Sequence, residues 1–331
     1  MGTKFIENVR LYFANDARYE CEGSIGQGAY GAVFKIRDNQ AAESPGQQRF
    51  ALKFPFAIQF PSGEDNWISE TQVLSAFQAA AHVVNRIALT DDPLRNPPQD
   101  ARKITSDWIY LEYLENGTFK QMAARLRMMN RPIPNRFIWR ITLCLIRMCI
   151  AMAWPNPYAT GAERIEELEQ DFYTHIISNV DLHDENMMFG SLNSDGSLEH
   201  QLTPILKMID MGECQRQRTR GESQWLMKTA VLLDGISDHV QILVDRALRT
   251  SEEALPVDPE LSDLATLSLG DQPDIRELAA GVIAAVTTRT ETWYRARYPG
   301  IKTEQESDAS VRDFVNALFF DAVPMPTLSR L

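Results

Sequence analysis

The chain has 331 residues, of which 44% are hydrophobic, and it carries a formal net charge of −12. Such a chain can bury a sizeable core, and its acidity, with no basic patch to offset it, argues against nucleic acid as a main partner. No apolar run approaches the length of a membrane span, and residues 1–10 lack the apolar stretch of a signal peptide. We therefore expect no membrane partner and an intracellular location, in the cytoplasm or the nucleus.

The amino-terminal region predicts two strands joined by a glycine-rich loop. Residues 1–17 form an extension that either adds a strand or lies across the elements that follow. At Ser24-Ile25 and at residues 33–36, apolar and polar residues alternate as in paired strands. The loop at residues 26–33, GQGAYGAV, has glycines where backbone amides could approach phosphates closely. Taken alone, such a loop is also compatible with an ordinary turn.

A lysine in an apolar strand is the next informative feature. Residues 50–54, FALKF, predict a third strand that contains Lys53. Because an unpaired ammonium group is costly in an apolar environment, Lys53 requires a partner of opposite charge. Residues 70–77 predict a helix with an apolar inner face, and Glu70 at its start is the nearest candidate. The alternative is a solvated Glu70.

The region that follows predicts loops, one strand and a turn. Residues 39–48 and 91–100 are polar and rich in turn-forming residues, so surface loops are expected there. Residues 108–113 predict a strand, which ends in a turn at residues 115–117. The chain should pass at this turn from a sheet-rich part to a helical part.

Two helices are predicted at residues 118–129 and 134–152. One buried stripe is expected along the second helix, formed by Ile138, Ile141, Leu145, Met148 and Met152. Cys144 and Cys149 lie in the same helix and are expected in the core. The four cysteines of the chain have no paired metal spacing and fit a reducing compartment.

Two polar inserts flank the segment that carries the chemistry. The first insert, residues 155–170, is rich in proline and then acidic. The second insert, residues 191–203, lengthens the predicted hairpin between Asn186 and Asp210. Neither contains a chemical motif, and the first is expected to be a solvated surface feature.

The segment at residues 179–186, NVDLHDEN, and the string DMG that begins at Asp210 predict a magnesium and phosphate site. Magnesium prefers oxygen ligands, and phosphoryl transfer depends mainly on positioning and control of charge. Asp181 would accept or orient the proton of the attacking hydroxyl, while Asn186 and Asp210 would hold the ion. The alternative is a structural turn with Asx hydrogen bonds.

The last third of the chain predicts mainly helices. Residues 212–225 form a short basic and polar run, for which a solvated loop is expected, and a helix is predicted at residues 224–234. Two more helices follow Asp274 and Ser310, with apolar residues at helical spacing. These stripes belong either to the core or to a groove for a partner. Residues 251–272 predict a mobile connection.

The motifs together resemble those of the eukaryotic protein kinase superfamily and, more narrowly, of divergent kinase-like proteins of filamentous fungi. The resemblance covers residues 22–234. It implies an α+β, two-lobed fold, with an antiparallel sheet and one helix in residues 18–114 and a mainly helical lobe with a shortened activation segment in residues 115–331. The motifs that carry the resemblance are, in chain order, the glycine-rich loop, Ala51-Leu52-Lys53, Glu70, Leu111-Glu112-Tyr113-Leu114, the NVDLHDEN segment and Asp210-Met211-Gly212.

The resemblance implies ATP and Mg2+ as cofactors and assigns roles to individual residues. Lys53 would hold the α- and β-phosphates, and Leu111 would be the gatekeeper. The backbone of Glu112 and Leu114 would meet the adenine edge, and Thr118 would lie near the ribose. The residues expected to contact the nucleotide are Ile25, Gly26, Gly28, Tyr30, Gly31, Val33, Ala51, Lys53, Leu111, Glu112, Leu114, Thr118 and Met188.

Some positions depart from the family pattern. Asn179-Val180 stands in place of His-Arg, so the arginine that would grip an activation-loop phosphate is absent. Met211 replaces a phenylalanine, a change that an apolar pocket can absorb. His183 stands where kinases acting on serine or threonine carry a lysine, and it either resembles small-molecule phosphotransferases in this or only hydrogen-bonds within its loop. Residues 212–225 are too short to form the usual peptide-docking platform.

The sequence therefore predicts an ATP- and magnesium-dependent phosphotransferase that passes the γ-phosphate to a hydroxyl group. A protein serine or threonine is the default acceptor, and a small molecule competes with it because the docking platform is shortened. A pseudokinase is the alternative from another functional class, namely a nucleotide-binding interaction module with negligible catalysis. A scaffold that binds no nucleotide is a third hypothesis.

Overall fold

A computed structural model describes residues 3–27, 31–40, 48–55, 69–89, 91–155, 164–171, 173–192, 198–249, 255–266 and 273–321. The α-helices in these ranges are α1 Thr3–Phe13, α2 Glu70–Ala76, α3 Phe119–Met128, α4 Asn135–Ala153, α5 Glu222–Arg249, α6 Pro259–Ala265, α7 Ile275–Thr288, α8 Glu291–Arg297 and α9 Asp308–Val315. The strands are β1 Tyr19–Gln27, β2 Gly31–Asp38, β3 Arg49–Pro55, β4 Arg86–Ile87, β5 Ile109–Glu112, β6 His175–Asn179, β7 Met187–Phe189, β8 Leu206–Met208 and β9 Cys214–Arg218. The architecture is mixed and compatible with the α+β class.

A five-stranded antiparallel sheet, with strand order β1-β2-β3-β5-β4, forms the amino-terminal part. Successive side chains of a strand point to opposite faces of the sheet. On one face, Ala32 and Phe34 of β2 are buried together with Tyr12 and Phe13 of α1. The extension at residues 1–17 therefore covers this face as a helix and adds no strand in its described part.

The opposite face of the sheet points toward α2 and the helical part. In the register of the strands, Lys35 pairs with Ala51, Ala51 pairs with Leu111, and Val33 pairs with Lys53. Residues that pair across antiparallel strands lie on the same face. Four of the side chains predicted to contact a nucleotide, at positions 33, 51, 53 and 111, therefore share this face, with α1 on the other side.

Helix α4 forms the centre of the helical part. Every residue from Asn135 to Ala153 is buried. The prediction that only one stripe of this helix is buried is therefore wrong. The reason is that other elements enclose the helix on all sides, as expected for a core helix. Its charged residues are paired inside the protein. Arg147 forms an ion pair with Glu199, and Arg140 donates to the backbone carbonyl of Glu199.

Two short ribbons, β6 with β9 and β7 with β8, hold the segments between α4 and α5. The predicted solvated loop at residues 212–225 is wrong for Cys214–Arg218, which form β9 along β6. Thr219 is buried, and its hydroxyl donates to the backbone carbonyl of Tyr173. This polar segment forms a strand because the neighbouring strand β6 supplies hydrogen-bond partners for its backbone.

The first polar insert is mostly exposed in its described part, which agrees with a solvated surface feature, but individual side chains of both inserts are buried. In the first insert, Arg164 forms a parallel bridge with Ala80, and the side chain of Glu166 is buried. In the second insert, His200 is 1% exposed. Both inserts thus bring a titratable side chain into the interior, which their polar sequences did not predict.

The carboxy-terminal helices contribute to the core. Helix α5 has 28 residues and is longer than the predicted helix at residues 224–234. Asp274 caps α7 as predicted, whereas α9 is capped by Ser307 and not by Ser310. The apolar stripes of α7 and α9 are packed into the main core cluster, which confirms the core interpretation over a partner groove.

Some predicted loops differ from expectation, and others lie outside the described residues. Residues 41–47 of the first predicted loop are not among those described. The predicted connection at residues 251–272 is described only for residues 255–266, where α6 forms. Asp92 is buried and accepts hydrogen bonds from side chains on β5 and its flank, so this second loop is anchored. No helix in the described ranges is both long and apolar enough to cross a membrane.

Candidate functional site

Three charged side chains from distant parts of the chain meet on the inner face of the sheet. The ammonium nitrogen of Lys53 lies 2.7 Å from Glu70 Oε1 and 2.7 Å from Asp210 Oδ1. Lys53 and Glu70 are 5% and 8% exposed. The predicted pair of Lys53 and Glu70 is confirmed, and the alternative of a solvated Glu70 is wrong. We call Lys53, Glu70 and Asp210 the lysine cluster.

The charges of the lysine cluster are not balanced. Burial by itself lowers the pKa of Lys53, but the two carboxylates outweigh this effect and raise it. Burial raises the pKa of Glu70, Lys53 lowers it and Asp210 raises it, with a net increase. One cation thus serves two carboxylates, and the excess negative charge favours a further cation next to Asp210.

The start of α2 sets the position of Glu70. Ser69 and Gln72 form a capping box that fixes the first turn of the helix. Glu70 lies in this turn, and its Oε1 also accepts a hydrogen bond of 3.4 Å from the backbone N–H of Met211. Helix α2 is therefore tied both to β3 and to the segment that follows β8.

The backbone of Asp210 is unusual. Its φ angle is 57°, in the left-handed region that few residues other than glycine adopt, although aspartate tolerates it. The backbone N–H of Gly212 donates to Asp210 Oδ1 at 3.3 Å. Met211 is fully buried, as the prediction of an apolar pocket for this methionine requires. Backbone conformations of this kind cluster at binding and catalytic sites, and no sequence signal indicated this one.

The segment with Asp181 is held by two asparagines. Asn186 Nδ2 donates to the backbone carbonyl of Asp181 at 3.0 Å and to Asp181 Oδ2 at 2.9 Å. Asn179 Oδ1 accepts from the backbone N–H of Asp181, and Asn179 Nδ2 donates to the backbone carbonyl of Asp210. Asx hydrogen bonds are therefore present, and the turn is also joined to Asp210. In the sequence, Asn179 stands out only as a departure from the family pattern, and this link was not predicted.

His183 lies beside Asp181. Its Nδ1 accepts a hydrogen bond of 3.1 Å from the backbone N–H of Glu185, so the proton of a neutral ring is on Nε2, which is 3.6 Å from Asp181 Oδ1. Burial raises the pKa of Asp181, His183 opposes the increase, and Glu213 adds to it. His183 thus hydrogen-bonds within its loop and also faces Asp181, so the two predicted interpretations are not exclusive.

The apolar residues predicted to contact the nucleotide have different exposures. Val33 and Ala51 are half-buried on the sheet face that carries the lysine, and Leu111 is buried next to them in the sheet. Met188, on β7 in the helical part, is half-buried, whereas Ile25 is 51% exposed. The sheet and the helical part thus each offer partly accessible apolar side chains.

The glycine-rich loop is described only at its two ends. Gly26 pairs with Val33 near the end of β1, and Gly31 begins β2. Gly28 and Tyr30 lie outside the described residues. A Cβ atom at Gly26 would meet Val33 at 3.8 Å, an ordinary contact. Packing therefore does not require glycine at this position, and close approach of a ligand remains a reason for it.

Of the three residues expected at the adenine and the ribose, two also have structural partners and the third is buried. Thr118 Oγ1 accepts the backbone N–H of Gln121 and so caps α3. The carboxylate of Glu112 accepts from Lys207 Nζ at 2.8 Å, which ties β5 to β8. The backbone N–H of Glu112 donates to the carbonyl of Asn85, just before β4. Leu114 is buried.

The donor atoms of the site fit a magnesium ion. Asp210 and Asp181 supply carboxylate oxygens, and Asn186 supplies an amide oxygen because its nitrogen is used by Asp181. Hard oxygen ligands of this kind suit magnesium. Glu70, Asp181 and Asp210 provide three carboxylates against the single ammonium group of Lys53, so the ionised groups leave an excess of negative charge.

Comparison with family models and with curated proteins gives no match for this chain. The functional interpretation therefore rests on the residues themselves. Its main elements are the lysine cluster and the Asp181 turn that is joined to it through Asn179.

Proposed function

We propose that the chain is an ATP- and magnesium-dependent phosphotransferase with a two-lobed, protein kinase-like fold. The observation that carries the proposal is the lysine cluster, in which a buried ammonium group lies 2.7 Å from each of two carboxylates. An ammonium group has three donors, so a third could serve a phosphate oxygen. The five-stranded sheet followed by a helical part supports the proposed division into lobes at residues 18–114 and 115–331.

In this proposal, each polar residue has one task. Lys53 binds the α- and β-phosphates, and Glu70 holds Lys53 in place. Asp181 orients the acceptor hydroxyl and takes up its proton through Oδ1, since Oδ2 is bound by Asn186. Magnesium, when bound to Asn186 and Asp210, neutralises the charge on the phosphates and aligns them.

The acceptor is a hydroxyl group, with protein serine or threonine as the default. The segment after Gly212 is short, and its strand β9 pairs along β6. A short, paired segment offers little surface for docking an extended peptide. A small-molecule hydroxyl is therefore the competing acceptor class, and His183, which lies 3.6 Å from Asp181, is the residue best placed to contact it.

The second candidate function is a pseudokinase that binds nucleotide and displays an interaction surface. The observation that favours it is the surroundings of Asp181, where Asn186 occupies one carboxylate oxygen and His183 faces the other. If both contacts persist with nucleotide bound, Asp181 is less able to accept the proton of an acceptor hydroxyl. If the chain were a scaffold that binds no nucleotide, the lysine cluster would have no ligand to bind.

The proposed setting is the inside of the cell, in the cytoplasm or the nucleus. The four cysteines are free thiols, as expected in a reducing compartment. The net charge of −12 makes nucleic acid an unsuitable partner.

The deciding experiment measures phosphate transfer from labelled ATP in the presence of magnesium. The native chain and its Asp210→Ala variant are each incubated alone, with generic protein substrates and with a panel of small-molecule hydroxyl compounds. Transfer by the native chain, lost in the variant, is expected. If the native chain transfers nothing to any acceptor, the phosphotransferase proposal fails.

A thermal-shift measurement separates the two candidate functions further. The melting temperature is recorded with ATP, with magnesium, and with both. A shift that requires both supports catalysis, because Asn186 and Asp210 then act as metal ligands. A shift with ATP alone favours the pseudokinase, and no shift under any condition argues against both.

A further inference from the structure

A second cluster of ligating side chains lies in the interior of the helical part. Ring nitrogens of His82 and His200 and the sulfur of Cys144 all lie within 4.8 Å of one another. Their exposures are 0%, 1% and 0%, respectively. The two imidazole rings are 5.1 Å apart between centroids. We call His82, Cys144 and His200 the histidine cluster.

A buried carboxylate orients one of these histidines. Glu166 Oε2 lies 2.7 Å from His82 Nδ1, and Glu166 Oε1 accepts the backbone N–H of His82 at 2.7 Å. Metal-binding histidines commonly have such a carboxylate on the ring nitrogen that does not bind the metal. His82 Nε2 is buried and has no nitrogen or oxygen partner among the described residues. Glu166 therefore directs the second ring nitrogen of His82 toward the rest of the cluster.

We propose that the histidine cluster binds a thiophilic cation, with zinc as the first candidate, through His82 Nε2, Cys144 Sγ and a ring nitrogen of His200. Imidazole and thiolate are the ligands that zinc and copper(I) prefer. In a tetrahedral zinc site, such ligand atoms lie about 3.5 Å apart. The cluster would close by about 1 Å on binding, a change that side-chain rotation can supply.

The charges around the cluster permit a divalent ion. A bound zinc ion would be balanced by the thiolate of Cys144 and the carboxylate of Glu166. Of the nearby cations, Arg147 is paired with Glu199, and Lys207 is paired with Glu112. Arg140 donates to the backbone carbonyls of Leu198 and Glu199. Binding would release the proton of the thiol and any proton on His82 Nε2, as is usual for metal sites with these ligands.

The position of the cluster gives the ion a structural role. His82 follows α2, Cys144 is in the middle of α4, and His200 ends a 3-10 helix in the second insert. The backbone carbonyl of His82 also accepts the N–H of Met208, two residues before Asp210. The ion would thus join three separate segments behind the strand that delivers Asp210. Because the site is fully buried, it would be filled during folding.

Metal analysis of the intact chain tests the proposal. The chain is expressed without a histidine tag in zinc-supplemented medium, dialysed against a weak chelator and analysed by mass spectrometry of the elements. The native chain is expected to retain roughly one zinc ion per molecule, and Cys144→Ala is expected to lose most of it. Cys149→Ala is the matched control, since Cys149 is on the same helix and equally buried, and it should retain the zinc. Copper in place of zinc would support the same site with the other thiophilic ion.

A second measurement needs no variant. The native chain, expressed in zinc-depleted medium supplemented with cobalt(II) so that the ion is present during folding, should show a thiolate-to-cobalt absorption band in the near ultraviolet and the visible bands of a tetrahedral site. The proposal is overturned if the native chain binds neither zinc, copper nor cobalt, or if Cys144→Ala retains as much metal as the native chain, which would indicate adventitious binding. Asp210→Ala should retain the zinc, so the outcome is independent of the proposed phosphotransferase activity.

Discussion

The lysine cluster and the histidine cluster are both assembled from distant segments, but only the lysine cluster was predicted from the sequence. Lys53 is a charged residue in an apolar strand, and Asp210 follows another apolar strand, so their neighbours mark them as unusual. His82 also interrupts an apolar run, at residues 79–84, but Glu166 and His200 lie in polar inserts where nothing local indicates burial. A site can thus be predicted from sequence when most of its members interrupt an apolar pattern, and not when its partners come from polar segments.

The two clusters also differ in access. The side chain of Asp210 is 27% exposed, so the lysine cluster is open on one side and could exchange a ligand. The histidine cluster is buried on all sides, and a ligand there would have to be enclosed as the chain folds. We therefore expect substitutions in the lysine cluster to affect function first, and substitutions around the histidine cluster to affect stability first.

The largest expected effect is on phosphate transfer in Asp210→Ala. Removing a carboxylate that holds the metal should lower the transfer rate by about 100-fold or more. Alanine tolerates the left-handed backbone of Asp210 less well than aspartate, so stability should fall by only about 1 kcal/mol. Steady-state transfer from labelled ATP measures the effect. Asp263→Ala removes an exposed carboxylate on α6 and serves as the control. If Asp210→Ala transfers phosphate at the native rate, the lysine cluster has no role in phosphate transfer.

Lys53→Met should affect both stability and activity. Without the ammonium group, Glu70 is a buried carboxylate with no counter-charge, which should cost about 3 kcal/mol in the free energy of unfolding. Adding Glu70→Leu should restore much of the stability, because no buried charge then remains, while transfer stays absent. Urea unfolding and transfer assays of both variants measure this. Recovery of transfer in the double variant would show that Lys53 has only a structural role.

Glu166→Gln tests the stability of the histidine cluster. Glutamine keeps the size of the side chain but removes one of the two acceptors that bind His82, so the free energy of unfolding should fall by about 1–3 kcal/mol. Glu167→Gln changes the exposed neighbouring residue and should be neutral. Urea unfolding of the two variants gives the difference. Equal stability of the two would mean that the carboxylate of Glu166 does not hold His82 in solution.

The smallest expected effect is a change in pH dependence. Asp181 must be ionised to take up a proton, so the rate should rise with pH through the pKa of Asp181. His183 lowers that pKa and Glu213 raises it. His183→Gln should therefore move the acidic limb of the rate profile to higher pH and Glu213→Gln to lower pH, by roughly 0.3–0.5 pH unit each. Shifts of the same sign in both variants would exclude direct electrostatic effects on Asp181.

Much of the lysine cluster could be predicted from the sequence, and the reasons are local. Alternation of apolar and polar residues indicated β2 and β3, and the cost of an unpaired lysine in β3 pointed to Glu70. The left-handed backbone of Asp210 and the bridging role of Asn179 could not be predicted, since both depend on how β6 and the DMG segment meet. The burial of Glu166 and His200, both in the polar inserts, could not be predicted for the same reason.

By itself, the sequence determined the strand and helix periodicities, the order of the motifs and the need of Lys53 for a partner. These properties depend on residues a few positions apart, which is the range over which a strand or a helical turn repeats. The tertiary structure alone decided that α4 is enclosed on every side, that β9 is a strand, and that Glu166 and His200 are buried. Burial and ion pairing are long-range properties, because a polar side chain enters the interior only where a distant segment supplies its partner.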